Sequence, residues 1–197
     1  MGLAASTPGA ARALIAELMD ACASGDEESL REALKKGVEP DRLFPGPKYT
    51  PMMAASAAGH ERCARLLLEY RASVAKADEG GRTALMHACM NGWRNCAVAL
   101  IEQGSPVDQG DADGVTALMH AAATGHVPCA TLLLDCGAEF SLHGQAALCH
   151  AAKGGQVPCA TLLLDRGADV DQAGAAGRTA LMWAVSAQQT ACVRLLL

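Results

Sequence analysis

Aromatic residues are scarce in this chain. Trp, Tyr and Phe together make up 3% of its 197 residues, although 51% of the sequence is hydrophobic. Aromatic side chains bury the largest areas, so a core here has to be assembled from Ala, Leu, Val, Met and Cys, small groups that favour closely packed helices. No apolar run nears the roughly 18 to 20 residues that cross a bilayer, which predicts a soluble chain with no membrane insertion. Basic residues are also in deficit. Lys and Arg number 16 against 21 Asp and Glu, giving a formal charge of −5. That lacks the positive footprint needed to hold nucleic acid or an acidic membrane surface, so neither is an expected partner. The first 18 residues have a single basic group, Arg12, and an apolar patch broken by Pro8 and Glu17, unlike a signal peptide. An intracellular, cytoplasmic location is expected. GxSxG, P-loop, HExxH and close CxxC patterns are missing as well, so the sequence offers no catalytic apparatus and implies no cofactor or metal.

What the chain does contain is a repeat. TALMHACMNG at Thr83 returns as TALMHAAATG at Thr116, as AALCHAAKGG at Ala146 and as TALMWAVSAQ at Thr179. A second string trails the first: CARLLLEYRA from Cys63, CAVALIEQGS from Cys96, CATLLLDCGA from Cys129, CATLLLDRGA from Cys159 and CVRLLL from Cys192. Its cysteines step by 33, 33, 30 and 33 residues. Together with the stretches TPMMAASAAGHERCARLLLEYRASV and GVTALMHAAATGHVPCATLLLDCGAEF, this period resembles the ankyrin pattern TPLHxAAxxGHxxxVxxLLxxGAxxN, over roughly Ala16 to Leu197. The resemblance implies an all-α ankyrin-repeat solenoid of helix-turn-helix units joined by β-turn fingers. It also implies a protein that binds partners through finger tips and first helices. Some members of the family carry asparagine hydroxylation at the end of GADVN, but here Ala75, Asp108, Ser141 and Asp171 stand at that position.

Each unit reads as a capped hairpin. Thr50, Thr83, Thr116 and Thr179 sit where a hydroxyl can satisfy the free amides of a first turn. Leu85, Ala88 and Cys89, like Leu118, Ala121 and Ala122, form an inward stripe at i, i+3 and i+4. Gly59, Gly92, Gly125 and Gly155 end the first helix, and Gly37, Gly104, Gly137 and Gly167 the second. Arg71 occupies the closing-glycine position of the second unit, where left-handed backbone should cost about 1 kcal/mol. Residues 1–10 read as an N-terminal tail and 11–197 as a single repeat domain. Its units fall at about 11–45, 46–78, 79–111, 112–141, 142–174 and 175–197. The first reads as a polar cap bearing Asp20, Asp26, Glu27, Glu28 and Arg31. The unit around Ala138 to Ala146 lacks three residues, which predicts a shortened finger. The last stops at Leu197 with an apolar end uncovered.

Two ladders invite chemistry. Cys63, Cys96, Cys129, Cys159 and Cys192 share one position, but stacked helices about 8 to 10 Å apart hold such residues too far apart for disulfides or zinc. Cys136, in a helix-terminal turn, is the thiol expected to be exposed. His87, His120 and His150, with Trp183 in register, are expected on the inner, groove-facing side, packing or hydrogen bonding with neighbouring units. His60 and His126 follow the stop glycines and are expected to order that turn. Trp93, large at the same position, is either an interface anchor or a cover for the edge of the stack.

A binding site should lie where the repeats vary. Those positions are Glu79, Arg82, Met90, Asn91 and Trp93, then Asp113, Val115 and Thr124, then Gln145 and Lys153, then Arg178 and Ser186. The expected function is a scaffold or adaptor that captures a protein or peptide there, with Arg82, Lys153 and Arg178 as positive points suited to an acidic or phosphorylated peptide. One alternative makes the array the targeting domain of a larger enzyme, such as a kinase, interrupted at Leu197. Another pairs the uncovered C-terminal end with a second copy of the chain.

Overall fold

The computed structural model describes residues 8–41, 49–174 and 177–197, apart from the side chains of 8–12 and 142. The segment 1–7 of the expected tail, 42–48 and 175–176 lie outside the described residues. Twelve α-helices run through the described residues, and extended structure is limited to two isolated bridges, Ala77 to Thr83 and Gly110 to Thr116. The chain divides into two compact units: residues 1–88 with 95–106, and residues 89–94 with 107–197.

In the first unit α1 (Pro8–Ser24) pairs with α2 (Glu27–Lys35), and α3 (Pro51–Ala58) with α4 (Glu61–Glu69); α1 packs on α3 and α2 on α4. Helices α5 (Ala84–Met90) and α6 (Arg94–Glu102) are divided between the two units. In the second unit the hairpins are α7 (Ala117–Thr124) with α8 (Val127–Asp135), α9 (Phe140–Lys153) with α10 (Val157–Asp165), and α11 (Ala180–Ser186) with α12 (Thr190–Leu196). First helices α7, α9 and α11 stack in order, as do second helices α8, α10 and α12. The interior is the one the composition dictates, made of Leu, Ala, Met and Cys, with Leu18, Leu30, Leu67, Leu85, Leu100, Leu118, Leu133 and Leu148 essentially sealed from solvent.

The threonine caps behave as their position demands. Thr50, Thr116 and Thr179 are extended N-caps whose hydroxyls accept from the amides of Met53, Met119 and Met182. Thr83 does the same for Met86. A methionine takes the place of the usual Glu or Gln in the reciprocal bond: Thr50 N and Thr83 N donate to the sulfurs of Met53 and Met86, each at 3.5 Å. All eight helix-closing glycines have positive φ. Arg71 does too, at 64°, and Gln188 joins it at 58°, standing where earlier repeats have a stop glycine. In α2, Asp26 caps Ser29 and Arg31 pairs with Glu27 at 3.1 Å, which gives the first hairpin a charged outer face.

The expected short finger is corrected by the structure. No finger forms there: α9 starts at Phe140 and runs 14 residues without a turn, across the boundary drawn at 141. The reason is local. The deletion removes the turn-forming carboxylate found at this point in other repeats, and Ala146 replaces the capping Thr, so nothing interrupts helix propagation. Asp108 holds the start by accepting from the Glu139 amide at 3.0 and 3.2 Å, and the Phe140 ring lies against Gly144.

Candidate functional site

Two of the fingers, those before α5 and α7, are built on one aspartate each. Asp78 Oδ1 accepts from the amides of Gly80 and Arg82, both at 2.9 Å, closing the turn, while its Oδ2 faces His87 Nε2 at 3.0 Å. Asp111 repeats this with the amides of Asp113 and Val115 and with His120 Nε2 at 2.9 Å. The carboxylate selects the Nε2-protonated imidazole. Burial pushes the Asp78 and Asp111 carboxyls up, but the amides of Arg82 and Val115, together with the histidines, outweigh it. Both carboxyls therefore end below the ordinary carboxylate range.

The histidine ladder bonds across the unit boundaries. His87 is buried and His120 half-buried, and they clamp the finger aspartates Asp78 and Asp111, which lie on the other side of the boundaries drawn at 78 and 111. His87 also meets the Tyr49 ring edge-on at 5.3 Å. His150 has no such partner because the deletion removes the finger that would carry the aspartate. Burial, with the charges of His120 and Lys153, pushes its pKa down. The signal was present in the sequence as Asp placed nine residues before His in two repeats, DEGGRTALMH and DADGVTALMH.

The turn histidines act one repeat away from where they were expected to. His60 lies over Gly25 and donates from Nε2 to Ala23 O, 3.1 Å away, and the His126 ring covers Gly92. Gln156 and Gln189 cover Gly125 and Gly155 in the same way. Each side chain thus seals the stop glycine of the preceding hairpin. The cysteine ladder keeps its thiols free. Thiols interact across positions instead, with Cys89 hydrogen-bonded to Cys129 and Cys22 under the electrostatic influence of Cys63. Burial raises the Cys22 thiol to about 12 and that of Cys159 to about 11. Cys136 is exposed.

Of the variable positions, four turn out to be partly consumed by the fold. Arg82 Nε lies 3.2 Å from Asp78 Oδ2, which removes it as a free positive point. Gln145 donates to Gln172 O at 2.6 Å, Val115 is half-buried beneath the Asp111 turn, and Met90 is half-buried. Glu79, Asn91, Trp93, Asp113, Thr124, Lys153, Arg178 and Ser186 are exposed; Thr124 also bonds His120 O at 2.9 Å. The structure brings Lys153 and Arg178 together. Lys153 Nζ stands 4.9 Å and Arg178 Cζ 5.0 Å from the centre of the Trp183 ring. Among the described residues no three His, Cys, Asp or Glu converge as metal ligands, and no helix is long and apolar enough to cross a membrane.

A family model described as ankyrin repeats matches the chain in three copies, over residues 18–109, 72–143 and 140–197. Comparison with curated proteins finds no match. The matches of the family model run without a gap from 18 to 197. The chain belongs to the ankyrin-repeat family, and its fold is an all-α ankyrin-repeat solenoid.

Proposed function

We propose that this chain is a non-catalytic scaffold or adaptor, capturing a partner protein or peptide with its finger tips and the ends of its first helices. Ankyrin repeats are in general protein-interaction modules. One observation carries the reading for this chain: the invariant positions are spent internally, on caps, clamps and core. The positions that differ between repeats, by contrast, leave Glu79, Asn91, Trp93, Asp113, Thr124, Lys153, Arg178 and Ser186 exposed. Repeats that share a core and differ in their exposed polar groups encode recognition, not stability. A photo-crosslinking residue placed at Asp113 or Ser186 should trap partner proteins. The same residue at Arg62 on α4, or at Gln103 just past the end of α6, should not. Equal trapping from both faces would refute the placement.

A second reading, self-association, is favoured by exposed apolar groups on the last hairpin. Met182 is 55% exposed, although its counterparts Met53, Met86 and Met119 are 0, 1 and 6% exposed; Val185 and Leu197 are open as well. Light scattering over a hundredfold concentration range decides it. A constant monomer mass rejects it, and a dimer lost on Met182→Glu with Val185→Glu supports it.

A further inference from the structure

The cluster of Lys153, Arg178 and Trp183 in the second unit has properties that neither the repeat frame nor the core explains. Lys153 is the last residue of α9, Arg178 belongs to the finger that precedes α11, and Trp183 is in the middle of α11. Both cations are exposed, and neither makes an ion pair among the described residues. Three other exposed basic groups are neutralised locally, Arg65 by Glu61 and Glu102, Lys76 by Asp41 and Arg166 by Asp135, and what sets Lys153 and Arg178 apart is their convergence on one ring. Here two like charges are each held at about 5 Å from one indole ring, so they stand no more than about 10 Å apart, within one Debye length at moderate salt. The ring quadrupole offsets part of their repulsion. His150, one turn before Lys153, feels the same positive field.

The charge of the surrounding chain supports this. From Phe140 onward there are four Lys and Arg against three Asp and Glu, whereas the whole chain carries −5. The positive region is therefore local and short. A nucleic acid, which extends phosphate charge well beyond it, would meet acidic surface. A short acidic stretch of polypeptide would not.

We propose that Lys153, Arg178 and Trp183 form a docking point for an Asp- or Glu-rich segment of a partner protein. This rests on the interaction-module reading above and gives that reading its partner chemistry. Carboxylates on successive turns or alternate residues of the segment pair with the two cations, and the indole supplies a flat apolar floor between them, already ordered by the cation contacts. Preorganised charges lose little freedom on binding, which favours recognition of a flexible acidic peptide.

The test uses the full chain and a fluorescein-labelled ten-residue peptide of alternating Glu and Ala, with its Gln/Ala counterpart as the neutral probe. Anisotropy should rise for the Glu peptide alone. Lys153→Glu with Arg178→Glu should weaken binding about tenfold or more, whereas Arg166→Glu at the end of α10 with Arg194→Glu on α12, the same net change, should leave it within about twofold. Circular dichroism melts confirm that both variants fold. Absent binding of the Glu peptide, equal binding of the Gln peptide, or equal losses in the two double variants would overturn the proposal. Crosslinking from Asp113 to a neutral partner would still stand in those cases, which separates this failure from failure of the interaction reading.

Discussion

Replacing Gly92 by alanine should destabilise the protein by more than replacing Gly137, although the two backbones are nearly alike. Their φ angles are 78° and 90°, in the left-handed region where an L side chain costs about 1 to 2 kcal/mol. Alanine recovers about 0.4 to 1 kcal/mol of that by restricting the unfolded chain. At Gly137 nothing lies within 4 Å of the new Cβ, so the net loss should stay near ~1 kcal/mol. At Gly92 the Cβ would stand 2.6 Å from His126 Nδ1 and 3.0 Å from its Cγ. The near edge of the ring, not a flexible tip, has to move. Overpacking of this kind adds about 1 to 3 kcal/mol, for a total of ~2 to 4. At about 2 to 4 °C per kcal/mol for a chain of this size, the melting temperature should fall by ~2 to 4 °C for Gly137→Ala and by ~4 to 16 °C for Gly92→Ala. Urea unfolding followed by circular dichroism measures both. The decisive variant is His126→Ala in the Gly92→Ala background, which removes the clash but not the backbone strain. It should bring the second glycine penalty down to the first. Equal penalties at Gly92 and Gly137, or no relief from the double variant, would show that His126 does not seal that turn.

Arg71→Gly and Gln188→Gly each remove a non-glycine residue from positive φ, at 64° and 58°. Each should raise the melting temperature by ~1 to 3 °C, a gain of order 0.5 to 1 kcal/mol; an unchanged or lower midpoint counts against the strain argument. The finger clamps predict an acid limb. Asp78 and Asp111 have folded pKa values below the unfolded one of about 3.9, so their contribution is complete above that value and is lost as pH falls through the depressed values. Asp78→Asn with Asp111→Asn should flatten the stability profile below about pH 4 and cost ~2 to 4 kcal/mol at pH 7, where buried amides and imidazoles lose a charged partner. Thiol titration of the native chain should find one rapid group, Cys136, since the other eight of the nine cysteines are buried. Fast modification of more than one would contradict the packing.

How far the sequence determined this protein depends on the range of the interaction. Helix starts and stops were legible because capping and left-handed closure act within four residues: Thr83 announces α5, and Gly125 ends α7. Arg71 at positive φ followed from its place in the repeat alone. The composition also set the Leu, Ala, Met and Cys interior. Exposure of Cys136 could be read the same way, from its place past the last turn of α8. The missing finger could not, because a three-residue deletion reads equally as a shorter turn or a longer helix, and the choice falls to packing of α9 between α7 and α11. The clamps of His87 on Asp78 and His120 on Asp111 left a visible spacing, but their direction depended on the finger folding back over its own helix. His126 over Gly92 and Lys153 with Arg178 at Trp183 join residues of different repeats. Stacking brings them together, and a one-dimensional pattern records which residue types recur without recording which side chain crosses to the next hairpin.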